Sequence, residues 1–213
     1  AYKNGETALA KQQYQGGETM LKYGPEEDKG NISGLDFKVD GVKAKWEFEE
    51  FNIDIAIIEL NQPLQPGGRI IVSTPFTVKL PSGEISRLGH IGQSYQITQW
   101  YPKPAVYDAE GWHQMPYLNQ GEFYSEYGSF DVSITLPKNY VVGATGDLQT
   151  QSEIDFLNDR AEKTASSIEN GKDFIEFETT PKKGFPKSSP DSKTIQYTQS
   201  NVHDFAWFAD KRY

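Results

Sequence analysis

Leu35-Asp36-Phe37-Lys38-Val39-Asp40-Gly41-Val42-Lys43-Ala44-Lys45-Trp46-Glu47-Phe48 carries the clearest structural signal in the chain. Leu35, Phe37 and Val39 alternate with polar residues, and Val42, Ala44, Trp46 and Phe48 resume the alternation after Asp40-Gly41. A period of two belongs to a half-buried strand, because successive side chains leave a strand on opposite faces. Asp and Gly both tolerate the positive φ angles of a two-residue turn. The spacing therefore predicts a hairpin joining residues 35–39 to residues 42–48.

Outward from this hairpin the same period recurs. Residues 53–60 read as a further strand, and the turn Pro66-Gly67-Gly68 leads into a predicted strand over 69–80. Residues 95–101 form another, ended by Pro102. Phe130, Val132, Ile134 and Leu136 alternate cleanly up to Pro137, and 140–144 follow after a short turn. Later strands are predicted over 174–179, 194–198 and 204–208. Two segments break the pattern. Residues 7–14 read as a short helix running into Gly16-Gly17. Residues 152–168 read as the main helix: Ser152 and Asp155 have capping-box spacing, Ile154, Leu157, Ala161 and Ala165 share a face, and Asn170-Gly171 supplies a stop. Residues 181–192, rich in Lys, Pro, Ser and Gly, read as a loop. The sum is one all-β domain over residues 1–213 with a helical insertion.

The chain has 213 residues, with 21 Lys plus Arg against 30 Asp plus Glu, a net charge of −9. So acidic a surface repels nucleic-acid phosphates and anionic lipid headgroups, so neither is an expected partner. Aromatic residues reach 13%, and each buries enough area for a core despite the low hydrophobic share of 36%. Cysteine is absent, which removes thiol nucleophiles, disulfides and Cys-ligated metal sites together. The longest aliphatic run, Ile55-Ala56-Ile57-Ile58, is far too short to span a bilayer. Ala1-Tyr2-Lys3 resembles neither a leader nor an initiation site, so the chain is expected to be a piece of something longer.

No local motif announces a catalyst. His90, His113 and His203 have no metal-ligand spacing, and H-E-x-x-H, G-x-S-x-G, P-loop and Rossmann patterns are missing. His203-Asp204 could orient an imidazole, though such neighbours are more commonly structural. Glu49-Glu50 and Glu26-Glu27-Asp28 fit a solvated acidic face better than a glycosidase pair. Asn31-Ile32-Ser33 fits the glycosylation triplet, which is too common to weigh by itself. The tract 100–127 is more informative, with Trp100, Tyr101, Tyr107, Trp112, Tyr117, Phe123, Tyr124 and Tyr127 broken by Pro102, Pro104 and Pro116. These rings either plug a gap in the β core or form a binding surface, and composition leaves both readings open.

A resemblance enters at this tract. Ile97-Thr98-Gln99-Trp100-Tyr101-Pro102-Lys103-Pro104-Ala105-Val106-Tyr107-Asp108, followed by Gly111-Trp112, resembles the N-terminal domain of zinc aminopeptidases of the aminopeptidase N family, in its Bacteroidetes-type branch. Gly121-Glu122-Phe123, the run from Phe130 to Pro137, Tyr140-Val141-Val142-Gly143-Ala144-Thr145-Gly146 and Val202-His203-Asp204-Phe205-Ala206-Trp207 resemble later segments of that domain, in family order. Pro63-Leu64-Gln65-Pro66-Gly67-Gly68 is similar to a family turn.

The resemblance implies a saddle-like set of packed antiparallel sheets and a non-catalytic role. The family's zinc-binding H-E-x-x-H lies in the next domain, so no catalytic residue, metal ligand or cofactor is expected within these residues, and zinc is expected in the catalytic domain. That domain and a peptide substrate are the implied partners, and the implied location is periplasmic or extracellular. In the family this β domain narrows the cleft and offers a Glu or Gln side chain to the substrate's amine. Gln99, Tyr101 and Asp108 are the candidates for that contact. Setting Thr98-Gln99 on the family's Thr-Gln pair puts Tyr101 at the amine-binding position. Setting Trp100-Tyr101-Pro102 on its aromatic-Pro-Cys element moves Asp108 towards the acidic role. A rival reading is an independent carbohydrate- or protein-binding β-sandwich that uses the aromatic tract as its platform.

Overall fold

The computed structural model describes residues 1–121, 124–169 and 184–212. Along the chain run α1 (Ala8–Gln15), α2 (Met20–Tyr23), β1 (Asn31–Ser33), β2 (Lys38–Val39), β3 (Val42–Lys43), β4 (Lys45–Phe48), β5 (Ala56–Glu59), β6 (Val72–Ser73), β7 (Thr77–Lys79) and β8 (Gly89–Ile91). There follow β9 (Ser94–Ile97), β10 (Val106–Asp108), β11 (Gly111–His113), β12 (Gly128–Pro137), β13 (Val141–Ala144), β14 (Asp147–Leu148), α3 (Gln151–Glu169), β15 (Ser192–Val202) and β16 (Trp207–Asp210). The fold is mainly β, with antiparallel sheets and few helices, as the hydrophobic period predicts. Contacts gather the chain into two compact units. The first is Ala1–Ile91 with Trp100–Glu126, and the second is Gly92–Gln99 with Tyr127–Tyr213.

In the first unit, Asp40 (φ 50°) and Gly41 (φ 79°) form the two-residue turn, with Val39 opposite Val42 and Lys38 opposite Lys43. The Ala44 N–H donates to Phe37 O at 2.9 Å, and there the predicted hairpin stops. The next strand, β4, turns away and pairs with β5, setting Trp46 opposite Ile58. The change of partner builds a core of Phe37, Val39 and Ala44 under Leu35, Trp46, Ala56, Ile58 and Ile70. The predicted strand 69–80 is also divided, into β6 beside β2 and β7 beside β1. Pro75 lies between the two pieces and has no N–H to give a ladder. Ahead of these strands, Thr7 Oγ1 caps α1 by accepting from the Ala10 N–H at 3.2 Å. That helix buries Leu9 and Ala10 in a cluster with Tyr2 and Leu21.

In the second unit, β15 lies between β12 and β14, and β16 between β13 and β9. The β12 alternation holds from Phe130 opposite Gln199 to Pro137 opposite Ser192. Ile134, Val142, Ile195, Tyr197 and Phe205 are buried, and the Tyr197 hydroxyl donates to Val142 O at 2.9 Å. The helix α3 starts one residue before the predicted cap, so Ser152 is already inside its first turn. Thr150 stands at the entry instead: its carbonyl accepts from Glu153 and Ile154, and its Oγ1 accepts from the Gln196 N–H of β15. The predicted strand 204–208 begins later, at Trp207, because the Asp204 carboxylate turns back to accept its neighbour's N–H. The strand predicted over 174–179 lies outside the described residues. No helix among them is long and apolar enough to cross a membrane.

Candidate functional site

The three residues singled out from sequence are distributed over both units. Tyr101 and Asp108 belong to the first, and Gln99 closes the first segment of the second.

Asp108 ends β10, whose hairpin with β11 turns through Ala109-Glu110 into Gly111 at φ 110°. Glycine adopts that angle without penalty. Cross-strand pairing sets Val106 opposite His113 and Tyr107 opposite Trp112, so the hairpin has two unlike faces. One buries Val106 and carries Asp108 and His113. The other shows water the ring pair Tyr107 and Trp112, each 66% exposed, with edge-to-face centroids 5.0 Å apart.

On the first face His113 Nε2 donates to Asp108 Oδ1 at 2.7 Å, and the Glu110 N–H donates to the same oxygen at 2.9 Å. The Tyr124 hydroxyl reaches Oδ2 at 3.5 Å, and its ring meets the His113 ring edge-to-face at 5.1 Å. The His113 bond, followed by the Glu110 N–H, holds the Asp108 carboxyl below the usual carboxylate range. Burial, and after it the Asp108 charge, push the Tyr124 phenol upwards. At neutral pH the hairpin therefore presents an ionised, oriented carboxylate. His113 has no metal-ligand spacing, and that criterion does not reveal its pairing with Asp108. The signal available was Asp108-x-x-Gly111, a turn that brings residue 113 back beside residue 108.

Tyr101 is half-buried and lies edge-to-face on Trp100 at 5.3 Å, and Trp100 in turn tilts against Phe76 at 5.9 Å. The aromatic tract thus divides between its two readings. Tyr117 joins the Tyr2 cluster, whereas Tyr107, Trp112 and Tyr124 face water.

Gln99 differs in kind. It follows β9 with φ 49°, one of three non-glycine residues at positive φ among those described. Its Oε1 is shielded from solvent and has no hydrogen-bond partner among the described residues, and the same holds for Thr98 Oγ1 and Trp207 Nε1. An unusual backbone angle and an unmet buried acceptor at one residue form a combination that recurs at functional sites.

Among the described residues, no group of three or more His, Cys, Asp or Glu side chains is placed to hold a metal ion. No family model, curated protein or solved structure matches the chain.

Proposed function

We propose that this chain is the non-catalytic N-terminal β portion of a zinc-aminopeptidase-like protein, and that it helps to shape the cleft receiving a peptide's amino terminus. The observation that carries the reading is the unmet Gln99 Oε1 on its strained backbone. A substrate ammonium is a pure donor, and a buried carbonyl oxygen without a partner is what such a donor completes. The ordered resemblance from Pro63 onwards and the ionised Asp108 carboxylate support the same reading. Zinc chemistry belongs, on this reading, to the catalytic domain that follows.

The gene sequence downstream of Tyr213 gives the first test: H-E-x-x-H with a later glutamate is expected, and a stop or an unrelated domain overturns the reading. In the protein so defined, Gln99→Ala should lower kcat/KM for an aminoacyl amide about ten- to a hundredfold with zinc content unchanged, the effect of losing a hydrogen bond to a charged group. A second reading rests on the exposed Tyr107–Trp112 pair, which suits a carbohydrate- or protein-binding platform. Retention on immobilised polysaccharide that is lost in Trp112→Ala would favour it.

A further inference from the structure

β12 is the outermost strand of its sheet and pairs with β15 on one side only. The direction of its remaining backbone groups follows from Gln196, the residue opposite Ser133. The Gln196 N–H donates to Thr150 Oγ1 at 2.9 Å and its carbonyl accepts from the Gln149 N–H at 2.8 Å, so both groups point to the β14 side, away from β12. Residues opposite one another in an antiparallel ladder either exchange both bonds or neither. Ser133 therefore turns its own N–H and carbonyl to the outer edge, and Asp131 and Thr135 do the same by alternation. The Lys138 N–H, which donates inward to Asp191 O at 2.8 Å, fits that alternation. Among the described residues nothing meets the outward groups of Asp131, Ser133 and Thr135.

A strand edge of this kind is ordinarily guarded by Lys, Pro, a bulge or a charge. From Phe130 to Leu136 there is no Lys, Arg or Pro, and the register shift lies before Phe130. The one charge, Asp131, is drawn back towards β15, its Oδ1 accepting from Gln196 Nε2 at 2.7 Å. Thr135 is likewise tied inward, its Oγ1 standing 2.7 Å from Thr194 Oγ1. The edge is left neutral and unguarded.

We infer that this edge is a self-association surface, and that its occupant is β12 of a second copy, antiparallel about a twofold axis at Ser133. With Ser133 opposite Ser133, Asp131 falls opposite Thr135, and all three outward residues meet outward groups. Phe130 then faces Leu136 and Val132 faces Ile134, so apolar side chains keep one face of the joined sheet and polar ones the other. Other centres fit less well. Asp131 sets two carboxylates opposite each other, Val132 sends Thr135 to the shifted end, and Ile134 sends Asp131 to Pro137, which has no N–H. A strand of unrelated sequence has no reason to match this pattern, whereas an identical one matches it throughout. The contact is isologous and closes at two copies.

Sedimentation velocity of the full chain tests the inference. In moderate salt it should pass from monomer to dimer between about 1 μM and about 500 μM, as befits a small interface. Ser133→Pro removes an outward donor and none that β15 uses, so it should stay monomeric with an unchanged circular dichroism spectrum. The absence of cysteine allows a second measurement that does not depend on that variant. Ser133→Cys brings two thiols opposite each other, whereas Ser129→Cys holds its pair roughly 26 Å apart at a strand rise of about 3.3 Å per residue. Mild oxidation should link the first at least about tenfold faster than the second. A chain still monomeric at about 500 μM overturns the inference, and protection of the 131, 133 and 135 amides from hydrogen exchange in that monomer would show the edge covered from within the chain. A dimer that survives Ser133→Pro, or equal linking at 133 and 129, also overturns it and puts the contact elsewhere.

Discussion

The carboxylate of Asp108 and the imidazole of His113 meet across the tip of one β-hairpin, Oδ1 to Nε2 at 2.7 Å, with the Glu110 N–H on the same oxygen. The first expected outcome follows from the ordering of causes. Because the His113 bond is the largest influence holding the Asp108 carboxyl down, His113→Ala should raise its titration midpoint towards the ordinary 3.8. Carboxyl carbon-13 shifts followed with pH would report it. The sign for stability is that of a depressed acid: the contact contributes fully above the ordinary pKa and is lost as pH falls through the folded value. His113→Ala should therefore weaken the acid-side pH dependence that Asp108 contributes. An unmoved midpoint would mean that the backbone N–H alone sets it.

Glu153 and Lys193 form a largely buried ion pair, Oε1 to Nζ at 2.6 Å, that fastens the first turn of α3 to β15. Removing one partner strands the other charge in a poorly solvated place. Glu153→Ala or Lys193→Ala is expected to cost about 3–5 kcal/mol in chemical denaturation, while a well-packed apolar replacement of both should recover most of the loss. Single-variant losses under about 1 kcal/mol would place the pair in the exposed class.

The Asp210 carboxylate receives a forked contact from the Arg212 guanidinium, 2.6 Å at its shortest, which with help from Ser94 lowers its pKa from 3.8 to about 2 despite burial. Its stabilising contribution is complete above pH 3.8 and lost as pH falls through about 2. Asp210→Asn should remove this part of the acid-side dependence, so that variant and parent differ most at neutral pH and converge below pH 2 in acid-unfolding curves. Curves that stay parallel throughout would reject the assignment.

The parts of the fold legible in sequence are those governed by local chemistry. Asp40-Gly41 specifies its own turn, and the β12 alternation survives because one face of that strand meets buried Ile195 and Tyr197. What escaped prediction was partner choice. Trp46 and Phe48 keep their period of two, yet period alone does not say that β4 leaves the 35–39 strand for β5, a matter decided by packing against Phe37 and Ala56. The site divides in the same way. Gln99 and Asp108 were accessible through the resemblance, whereas His113 acquires its place only through hairpin closure.

Gln99 supplies the last expectation, because its two unusual features can be separated by substitution. A non-glycine residue at φ 49° carries about 1–2 kcal/mol of backbone strain, which glycine does not share. The unmet buried Oε1 carries a further desolvation cost of about 1–3 kcal/mol, which any truncation relieves. Against these stand the packing of a half-buried side chain and the greater unfolded-state freedom of glycine, the latter about 0.5–1 kcal/mol. Gln99→Gly should therefore be at least as stable as the parent in denaturant titrations. Gln99→Ala, which keeps the strain, should fall about 1 kcal/mol below the glycine variant. In the protein that carries the catalytic domain, both variants should lower kcat/KM for an aminoacyl amide. Stability gained with binding lost is the pattern of a residue kept for a ligand. A loss above about 2 kcal/mol in Gln99→Gly would instead mark Gln99 as a structural residue with a missing hydrogen-bond partner, and would remove the basis for reading it as an amine acceptor.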